Sequence, residues 1–125
     1  CVEEARAEAD VLRELARCDP GGRSRCVRLL DEFSQHDTHH CLVLELLDVS
    51  LSDFAKGCGG HGLLVQDVCC IARQLLECVG FIHALGLVHT DLKCRNVMLR
   101  QGNAVPAPLP RAGPAAQTRR LLHCE

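Results

Sequence analysis

The stretch VHTDLKCRNVML, residues 88–99, constrains the fold most because it sets a dense group of polar and charged side chains between apolar ones. His, Asp, Lys, Arg and Asn all fall within eight positions. A surface turn does not need apolar residues on both sides, and a buried strand does not tolerate unpaired charges. The stretch therefore predicts a loop with buried ends and a chemical use for its polar side chains.

The segment before this loop, residues 66–85, is the strongest helix in the sequence. Its apolar residues step by three and four, as on one face of a helix: Val68, Ala72, Leu75, Val79 and Ile82. Gly86 follows at the position where a left-handed helix cap costs least. The predicted order is a long helix, its cap, the charged loop and a short apolar strand at 97–99.

Residues 2–17 predict a second helix, because Ala, Leu, Glu and Arg dominate and no Gly or Pro interrupts them. Ala5, Leu12 and Leu15 mark an apolar stripe, and Glu8 falls on that same stripe. An inward carboxylate would require a cationic partner. On a mostly solvated helix, Glu8 would be one acid among several, and the periodicity leaves both interpretations open.

Between these helices the pattern predicts an antiparallel hairpin. Residues 26–33 and 41–47 form its strands, and the polar segment SQHDTHH (34–40) connects them. The second strand is apolar on both faces except at Glu45, so we expect it to be buried.

Turn signals divide the remaining segments. Asp-Pro and Gly-Gly make residues 18–25 a loop. Ser50 and Asp53 stand three apart ahead of Phe54, which resembles a helix N-cap and predicts a short helix at about 51–57. Residues 101–125 hold four prolines without periodicity, so we expect a mostly disordered tail or an insertion.

The composition excludes several classes of protein. The 125 residues suffice for one domain with a modest core. A net charge of -2 argues against a nucleic-acid-binding domain, and no apolar run approaches the ~20 residues of a membrane span.

The ten cysteines are irregularly spaced and no signal peptide is visible, which favours buried free thiols in a reducing compartment. The chain begins with Cys1, and we read it as starting inside a longer protein.

The order His-x-Asp-Leu-Lys-x-x-Asn after a long helix resembles the catalytic loop of protein kinases. The resemblance implies an α+β, mostly helical fragment of a kinase domain over residues 1–100. HCLVLELLDVSLSDFAK (40–56) is similar to the hinge of the LAMMER family, the CDC-like dual-specificity kinases. Residues 4–15, EARAEADVLREL, also match a helix of that family, and Thr90 stands where the family has Thr and most kinases have Arg.

The resemblance implies roles in phosphoryl transfer for three residues of the loop. Asp91 would accept or orient the proton of the substrate hydroxyl. Lys93 would offset charge on the moving phosphoryl group, and Asn96 would hold a Mg²⁺ ion.

The resemblance also implies an ATP site. Glu8 would pair with the ATP-binding lysine, and Leu44 would take the gatekeeper position. The backbone of Glu45 and Leu47 would bind adenine. Ser50 and Asp53 would lie near the ribose, although the cap alone could explain both residues.

Further implications concern regulation, substrates and location. Thr90 cannot form an ion pair with an activation-loop phosphate, so the parent kinase would not depend on that switch. Cys94 and Arg95 replace the family's Pro-Glu, and Arg95 would repel a basic substrate. Partners implied are ATP and a protein substrate, with splicing factors and a nuclear or cytoplasmic location suggested by resemblance only. The glycine-rich loop, the ATP lysine and Asp-Phe-Gly are not found in residues 1–125, so we expect no catalysis from this chain alone.

Three alternatives remain open. One is an SR-protein kinase, since Thr90 is shared with that group. Another is a non-catalytic truncated product or pseudokinase that acts as a binding module, against which Asp91, Lys93 and Asn96 are intact. The last is a zinc module built from several His and Cys residues, whose spacing does not follow the usual paired pattern: His36, His39, His40, Cys41, Cys58 and His61.

Overall fold

The structure is a computed structural model that describes residues 2–36, 39–59, 61–108 and 117–121. The described residues form three helices and four strands. In chain order these are α1 (Val2–Cys18), β1 (Leu29–Gln35), β2 (His39–Leu44), α2 (Leu51–Lys56), α3 (Val65–Ala84), β3 (Ala104–Pro108) and β4 (Gln117–Leu121).

The chain divides into two units. The first comprises Cys1–Leu46 and Glu77–Leu87, and the second comprises Leu47–Leu76 and Val88–Glu125. Each unit has its own apolar cluster. In the described residues, no helix is long and apolar enough to cross a membrane.

In the first unit, α1 forms where the sequence predicts it. Ala9, Leu12 and Leu15 are buried, and Leu12 and Leu15 pack with Ile82 of α3. Glu8 is exposed, although the stripe with Ala5 and Leu12 allowed an inward position. The hairpin and Ile82 cover only the second half of α1. A side chain in the first half is therefore exposed to solvent even when it lies on the same face of the helix.

The predicted antiparallel hairpin is confirmed, with shifted ends. β1 and β2 pair with Phe33 opposite Cys41 and Gln35 opposite His39, so most of the predicted polar connection belongs to the strands. The expectation that the second strand is buried is wrong. Val43 and Leu44 are 37% and 39% exposed, because β1 is the only strand that pairs with β2 among the described residues.

The carboxyl end of α3 closes with a cap that depends on glycine. The Gly86 N–H donates to the His83 carbonyl at 2.9 Å, and the Leu87 N–H donates to the Ile82 carbonyl at 3.0 Å. Gly86 has a φ of 73°, as the Schellman motif requires. Leu87 then packs against the cluster that contains Ile82, so the predicted cap also fixes where the chain leaves the helix.

The loop after α1 is held by the carboxylate of Asp19. Its Oδ1 accepts from the Arg23 N–H at 3.0 Å, and its Oδ2 accepts from the Ser24 N–H at 2.6 Å. Hydrogen bonds from Ser24, followed by the one from Arg23, lower the pKa of Asp19 to about 2. The ionised carboxylate is thus the form that closes this loop.

In the second unit, the first half of α3 does not bury the predicted stripe. Val68 is 46% exposed and Ala72 is exposed, whereas Asp67 is buried. The Asp67 carboxylate accepts from the Leu121 N–H at 3.1 Å. The helix therefore turns Asp67 rather than Val68 toward the strand β4.

Residues 101–125 differ from the predicted disorder in two segments. β3 and β4 pair in antiparallel register, and Thr118 donates to the Gly62 carbonyl at 2.8 Å. Leu121 is buried with Phe54 and Cys58. This apolar contact stabilises β4 although the composition of the segment does not favour ordered structure. The rest of the predicted tail, 109–116 and 122–125, lies outside the described residues.

Two glycines of the α3 region should respond oppositely to a methyl group. Gly86→Ala should lower the free energy of unfolding by about 1–2 kcal/mol, because alanine is strained at positive φ. Gly80→Ala should raise it by roughly 0.5–1 kcal/mol, because Gly80 is inside the helix and an added Cβ meets nothing within 4 Å. Urea unfolding of both variants measures the difference. Equal effects of the two substitutions would contradict the proposed cap.

Asp19 should make stability depend on pH in the acid range. Its pKa in the folded protein, about 2, lies below the ordinary 3.8, so its stabilisation is fully present above pH 3.8. This stabilisation is lost as the pH falls from 3.8 toward 2. Urea midpoints of Asp19→Asn should therefore fall less steeply than those of the wild type across this window. Asp10→Asn, which changes an exposed carboxylate of α1, is the control, and parallel curves for wild type and Asp19→Asn would refute the assignment.

Candidate functional site

Backbone hydrogen bonds fix the carboxyl end of the charged loop within the second unit. The expectation that both ends of the loop are buried is wrong at the other end, where Val88 is 71% exposed. The Leu51 N–H donates to the Val97 carbonyl at 2.8 Å, and the Leu99 N–H donates to the Val49 carbonyl at 3.0 Å. Two more such bonds run from the Asp48 and Ser52 N–H groups to residues 99 and 94. We call this set of bonds between 48–52 and 94–99 the ladder. The predicted strand at 97–99 appears as a single bridge within it, between Ser50 and Met98.

A strained turn at Thr90 precedes Asp91 in the loop. The φ of Thr90 is 61°, and the Asp91 N–H donates to the His89 carbonyl at 2.8 Å across it. A positive φ is unusual for a β-branched residue. Strained conformations of this kind persist where surrounding structure enforces them, often at functional sites.

Asp91, Lys93 and Asn96 come together as the sequence predicts. Lys93 Nζ lies 2.9 Å from Asp91 Oδ1 and 2.6 Å from Oδ2. Asn96 Nδ2 donates to the Asp91 carbonyl at 2.8 Å and to its Oδ2 at 3.0 Å. The loop thereby gathers one carboxylate, one ammonium group and one amide at its exposed surface.

The protonation state of Asp91 follows from these contacts. The hydrogen bond from Lys93 lowers the pKa of Asp91 most, and the one from Asn96 lowers it further. The Asp91 side chain is 64% exposed, so solvent also stabilises its charge. An ionised carboxylate at neutral pH can accept a hydrogen bond from an incoming hydroxyl.

Asn96 is suited to hold a divalent cation through its remaining oxygen. Its Nδ2 is used in donating to Asp91, which leaves Oδ1 as the acceptor of the amide. Oxygen atoms are the ligands that Mg²⁺ prefers, so Asn96 can supply one ligand to this ion.

Ser50 and Asp53 cap the helix α2. The Asp53 N–H donates to Ser50 Oγ at 3.1 Å, and Ser50 Oγ donates to Asp53 Oδ2 at 2.7 Å. Lys56 Nζ lies 2.7 Å from Asp53 Oδ1. Hydrogen bonds from Lys56 and then from Ser50 lower the pKa of Asp53. The cap is therefore present, while contact of either residue with a ribose stays a prediction.

A pocket of about 590 Å³ opens beside this cap. Asp48, Asp53, Lys56 and Arg95 supply its charged groups, and Val49, Ser50 and Met98 supply the rest of its lining. The pocket therefore lies next to the loop, and Arg95 gives it a positive group that comes from the loop itself.

The other predicted ATP-site residues are placed as follows. Glu8 is exposed on α1, and Leu44 ends β2 opposite Leu29. Glu45 is half-buried, and its carboxylate accepts from the Arg28 N–H at 3.0 Å while its own N–H donates to the Arg28 carbonyl. These three residues belong to the first unit, whereas Leu47, half-buried, belongs to the second.

The histidines and cysteines considered as zinc ligands do not assemble in the part of the chain that the structure describes. No three side chains of His, Cys, Asp or Glu come together there as a metal cluster. Cys58 is buried with Phe54 and Leu121. His40 lies 3.2 Å from the carboxylate of Glu32, so separate local contacts account for these residues.

One contact beside the loop has no signal in the sequence. Asp48 Oδ2 accepts from the Gly102 N–H at 2.7 Å, and this bond joins residues 54 positions apart. A Cβ on Gly102 would come within 2.8 Å of the same oxygen. Asp48 lies in the segment 40–56 that resembles the hinge, but no local pattern pairs it with Gly102, so only the folded chain reveals that they meet.

Comparison with known sequences places the whole arrangement in a family. A family profile described as the protein kinase domain matches residues 2–107. The human dual specificity protein kinase CLK1 is 38% identical over 109 residues, which is 87% of this chain and 22% of that protein. The Arabidopsis thaliana serine/threonine-protein kinase AFC1 is 41% identical over 106 residues, covering 85% of this chain and 22% of that protein.

A fungal relative and a solved structure agree with this match. The Schizosaccharomyces pombe dual specificity protein kinase lkh1 is 37% identical over 97 residues, 78% of this chain and 14% of that protein. The crystal structure of the PF14_0431 kinase domain superposes with a TM-score of 0.80 at 24% identity, over 94% of this chain and 35% of that chain; this likeness shows the fold. The chain spans about a fifth of the length of the first two relatives. With the loop geometry and the profile match over residues 2–107, the chain belongs to the protein kinase family.

Proposed function

We propose that the protein to which this chain belongs transfers the γ-phosphoryl group of ATP to a serine or threonine hydroxyl of a protein substrate. The activity is assigned to the whole protein, since the chain matches about a fifth of its first relatives' length. The observation that carries the proposal is the contact of Lys93 and Asn96 with Asp91.

The three residues divide the work of phosphoryl transfer. Asp91, kept ionised by its neighbours, accepts a hydrogen bond from the substrate hydroxyl and aligns its oxygen for attack. Lys93 lies beside Asp91. Its positive charge therefore also stabilises a phosphoryl oxygen that is bound next to Asp91. Asn96 would hold Mg²⁺ through its Oδ1. The ion, when bound with ATP, neutralises phosphate charge.

We assign the remaining binding roles by resemblance. Leu44 is the gatekeeper, and the backbone of Glu45 and Leu47 binds adenine. Glu8 pairs with the lysine that binds ATP. Its exposure on α1 supports this role, because the carboxylate is accessible to a residue from elsewhere in the protein.

The type of kinase is proposed as LAMMER-like, with serine/threonine and possible dual specificity. Two of the relatives described above are named dual specificity kinases and one a serine/threonine kinase. The hinge segment 40–56 and Thr90 support this assignment. An SR-protein-kinase-like enzyme is the second candidate, and the intact Asp91, Lys93 and Asn96 argue against a decayed, non-catalytic parent.

Substrate and location are further proposals. Splicing factors as substrates and a location in the nucleus or cytoplasm rest on the LAMMER resemblance. Arg95 lines the 590 Å³ pocket, and its positive charge repels a substrate arginine that binds beside it. We therefore propose substrates that place an acidic or neutral residue beside Arg95.

Replacing the carboxylate of Asp91 should remove most of the activity of the intact protein. Asp91→Asn keeps the size of the side chain but accepts the substrate proton poorly, so kcat should fall at least about 100-fold. Steady-state phosphorylation of a peptide substrate measures kcat, and nucleotide binding by the same variant should be nearly unchanged.

The matched control is Asp10→Asn on the exposed surface of α1. Asp10 pairs only with Arg13 among the contacts of the described residues, and an exposed pair of this kind contributes little. The proposal fails if Asp91→Asn retains wild-type kcat, or if Asp10→Asn loses activity to the same extent.

The cap and the ribose contact can be separated by two further variants. Ser50→Ala should lower the free energy of unfolding by about 1 kcal/mol through loss of the cap. Asp53→Asn should instead raise the KM for ATP several-fold with little change in kcat, because the resemblance places this carboxylate near the ribose. Thermal unfolding and ATP-dependent kinetics of both variants give the two readouts. An unchanged KM for ATP in Asp53→Asn would remove this residue from the nucleotide site.

A further inference from the structure

Two cysteines that are distant in sequence meet in the first unit. The Sγ atoms of Cys26, before β1, and Cys78, in α3, lie 3.6 Å apart across 52 positions. Both side chains are half-buried and both are free thiols. A disulfide requires a separation of about 2.05 Å, so the two sulfurs must approach by about 1.5 Å, a distance within reach of side-chain rotation.

Cys26 also lines a small pocket. The pocket has a volume of about 120 Å³ and is bordered by residues of the loop after α1, among them Asp19, Ser24 and Arg28. This volume admits a molecule of the size of hydrogen peroxide, whose share of space is close to that of one or two waters. The thiol of Cys26 is thus reachable by a small oxidant although most of the side chain is covered.

The hydrogen bonding of the pair distinguishes the two sulfurs. The bond from Cys78 lowers the pKa of Cys26, the hydroxyl of Ser24 lowers it further, and burial and the charge of Asp19 oppose this. The same contact with Cys26, together with burial, raises the pKa of Cys78. Because one thiol of this contact donates to the other, the pair favours a single thiolate. The small pocket is lined by Cys26 and not by Cys78, which makes Cys26 the sulfur that meets a small oxidant. A thiolate is the nucleophilic form of cysteine.

We propose that Cys26 and Cys78 form a peroxide-sensitive thiol pair, in which Cys26 is the attacking sulfur and Cys78 the resolving one. The Cys26 thiolate attacks one peroxide oxygen, the O–O bond breaks, and hydroxide leaves to become water, which makes a sulfenic acid. Cys78 then loses its proton and attacks the Cys26 sulfur, forming the S–S bond and releasing a second water. Two thiols and one hydrogen peroxide thus yield one disulfide and two waters.

The disulfide would join elements that already pack together. Cys26 lies against the cluster of Leu12, Leu15 and Ile82, and Cys78 is one turn before Ile82 on α3. The bond would tie the segment before β1 to the second half of α3. A cross-link over so many residues restricts the unfolded chain, so oxidation should raise the thermal stability of the protein.

The test uses the purified full-length protein, treated with one equivalent of hydrogen peroxide at pH 7 under air-free conditions. Free thiols are then alkylated and the digest is analysed by mass spectrometry. We expect a peptide pair joined through Cys26 and Cys78, and a rise of several degrees in the melting temperature that dithiothreitol reverses. Before oxidation, iodoacetamide should modify Cys26 at least several-fold faster than Cys41, which is also half-buried.

Three variants complete the test. Cys26→Ala should abolish the disulfide and the stabilisation. In Cys78→Ala, which lacks the hydrogen-bond partner, Cys26 should react with peroxide more slowly than in the wild type and stop at a sulfenic acid that dimedone traps. Cys41→Ala, the control, should behave as wild type. The proposal is overturned if no Cys26–Cys78 peptide forms, or if Cys26 in the wild type reacts with iodoacetamide no faster than Cys41. The second measurement needs no substitution, so it decides the matter even where a variant fails to fold.

Discussion

The backbone ladder between 48–52 and 94–99 is the constraint on which the second unit depends. Its bonds hold the apolar carboxyl end of the charged loop against the segment that leads into α2. Each such bond contributes only about 1 kcal/mol net, yet together they hold the backbone on both sides of Asn96. From this position the amide of Asn96 donates to the backbone carbonyl and to the Oδ2 of Asp91.

The ladder also explains how an exposed site stays ordered. Surface charge pairs contribute little because water and salt screen them, so attraction between Lys93 and Asp91 cannot by itself position either residue. The backbone hydrogen bonds position the loop instead. The positive φ of Thr90 is a strained conformation that this arrangement requires. The arrangement leaves the charges accessible to a ligand, as the proposed role in phosphoryl transfer requires.

The sequence predicts where the helices and strands lie better than it predicts which of their side chains are buried. The periods of three and four located α1 and α3, and the capping pattern of Ser50 and Asp53 located α2. The site loop was found through its motif, and its three polar residues do meet. The burial of Val68 and of β2 was mispredicted, because periodicity defines a face but not what covers it. The contacts of Asp48 with Gly102 and of Cys26 with Cys78 join residues more than 50 positions apart, and no local pattern encodes them.

The strands β3 and β4 show how few residues can override composition. A two-stranded hairpin is marginal on its own, and Pro106 and Pro108 remove two donors from β3. The hairpin persists because β4 is anchored: Leu121 enters the cluster of Phe54 and Cys58, and Arg119 lies 5.3 Å from the centre of the Phe54 ring, where cation–π attraction adds to the packing. Since α2 carries Phe54 and begins at the Ser50 cap, the same short helix that borders the candidate site also provides the surface that orders β4.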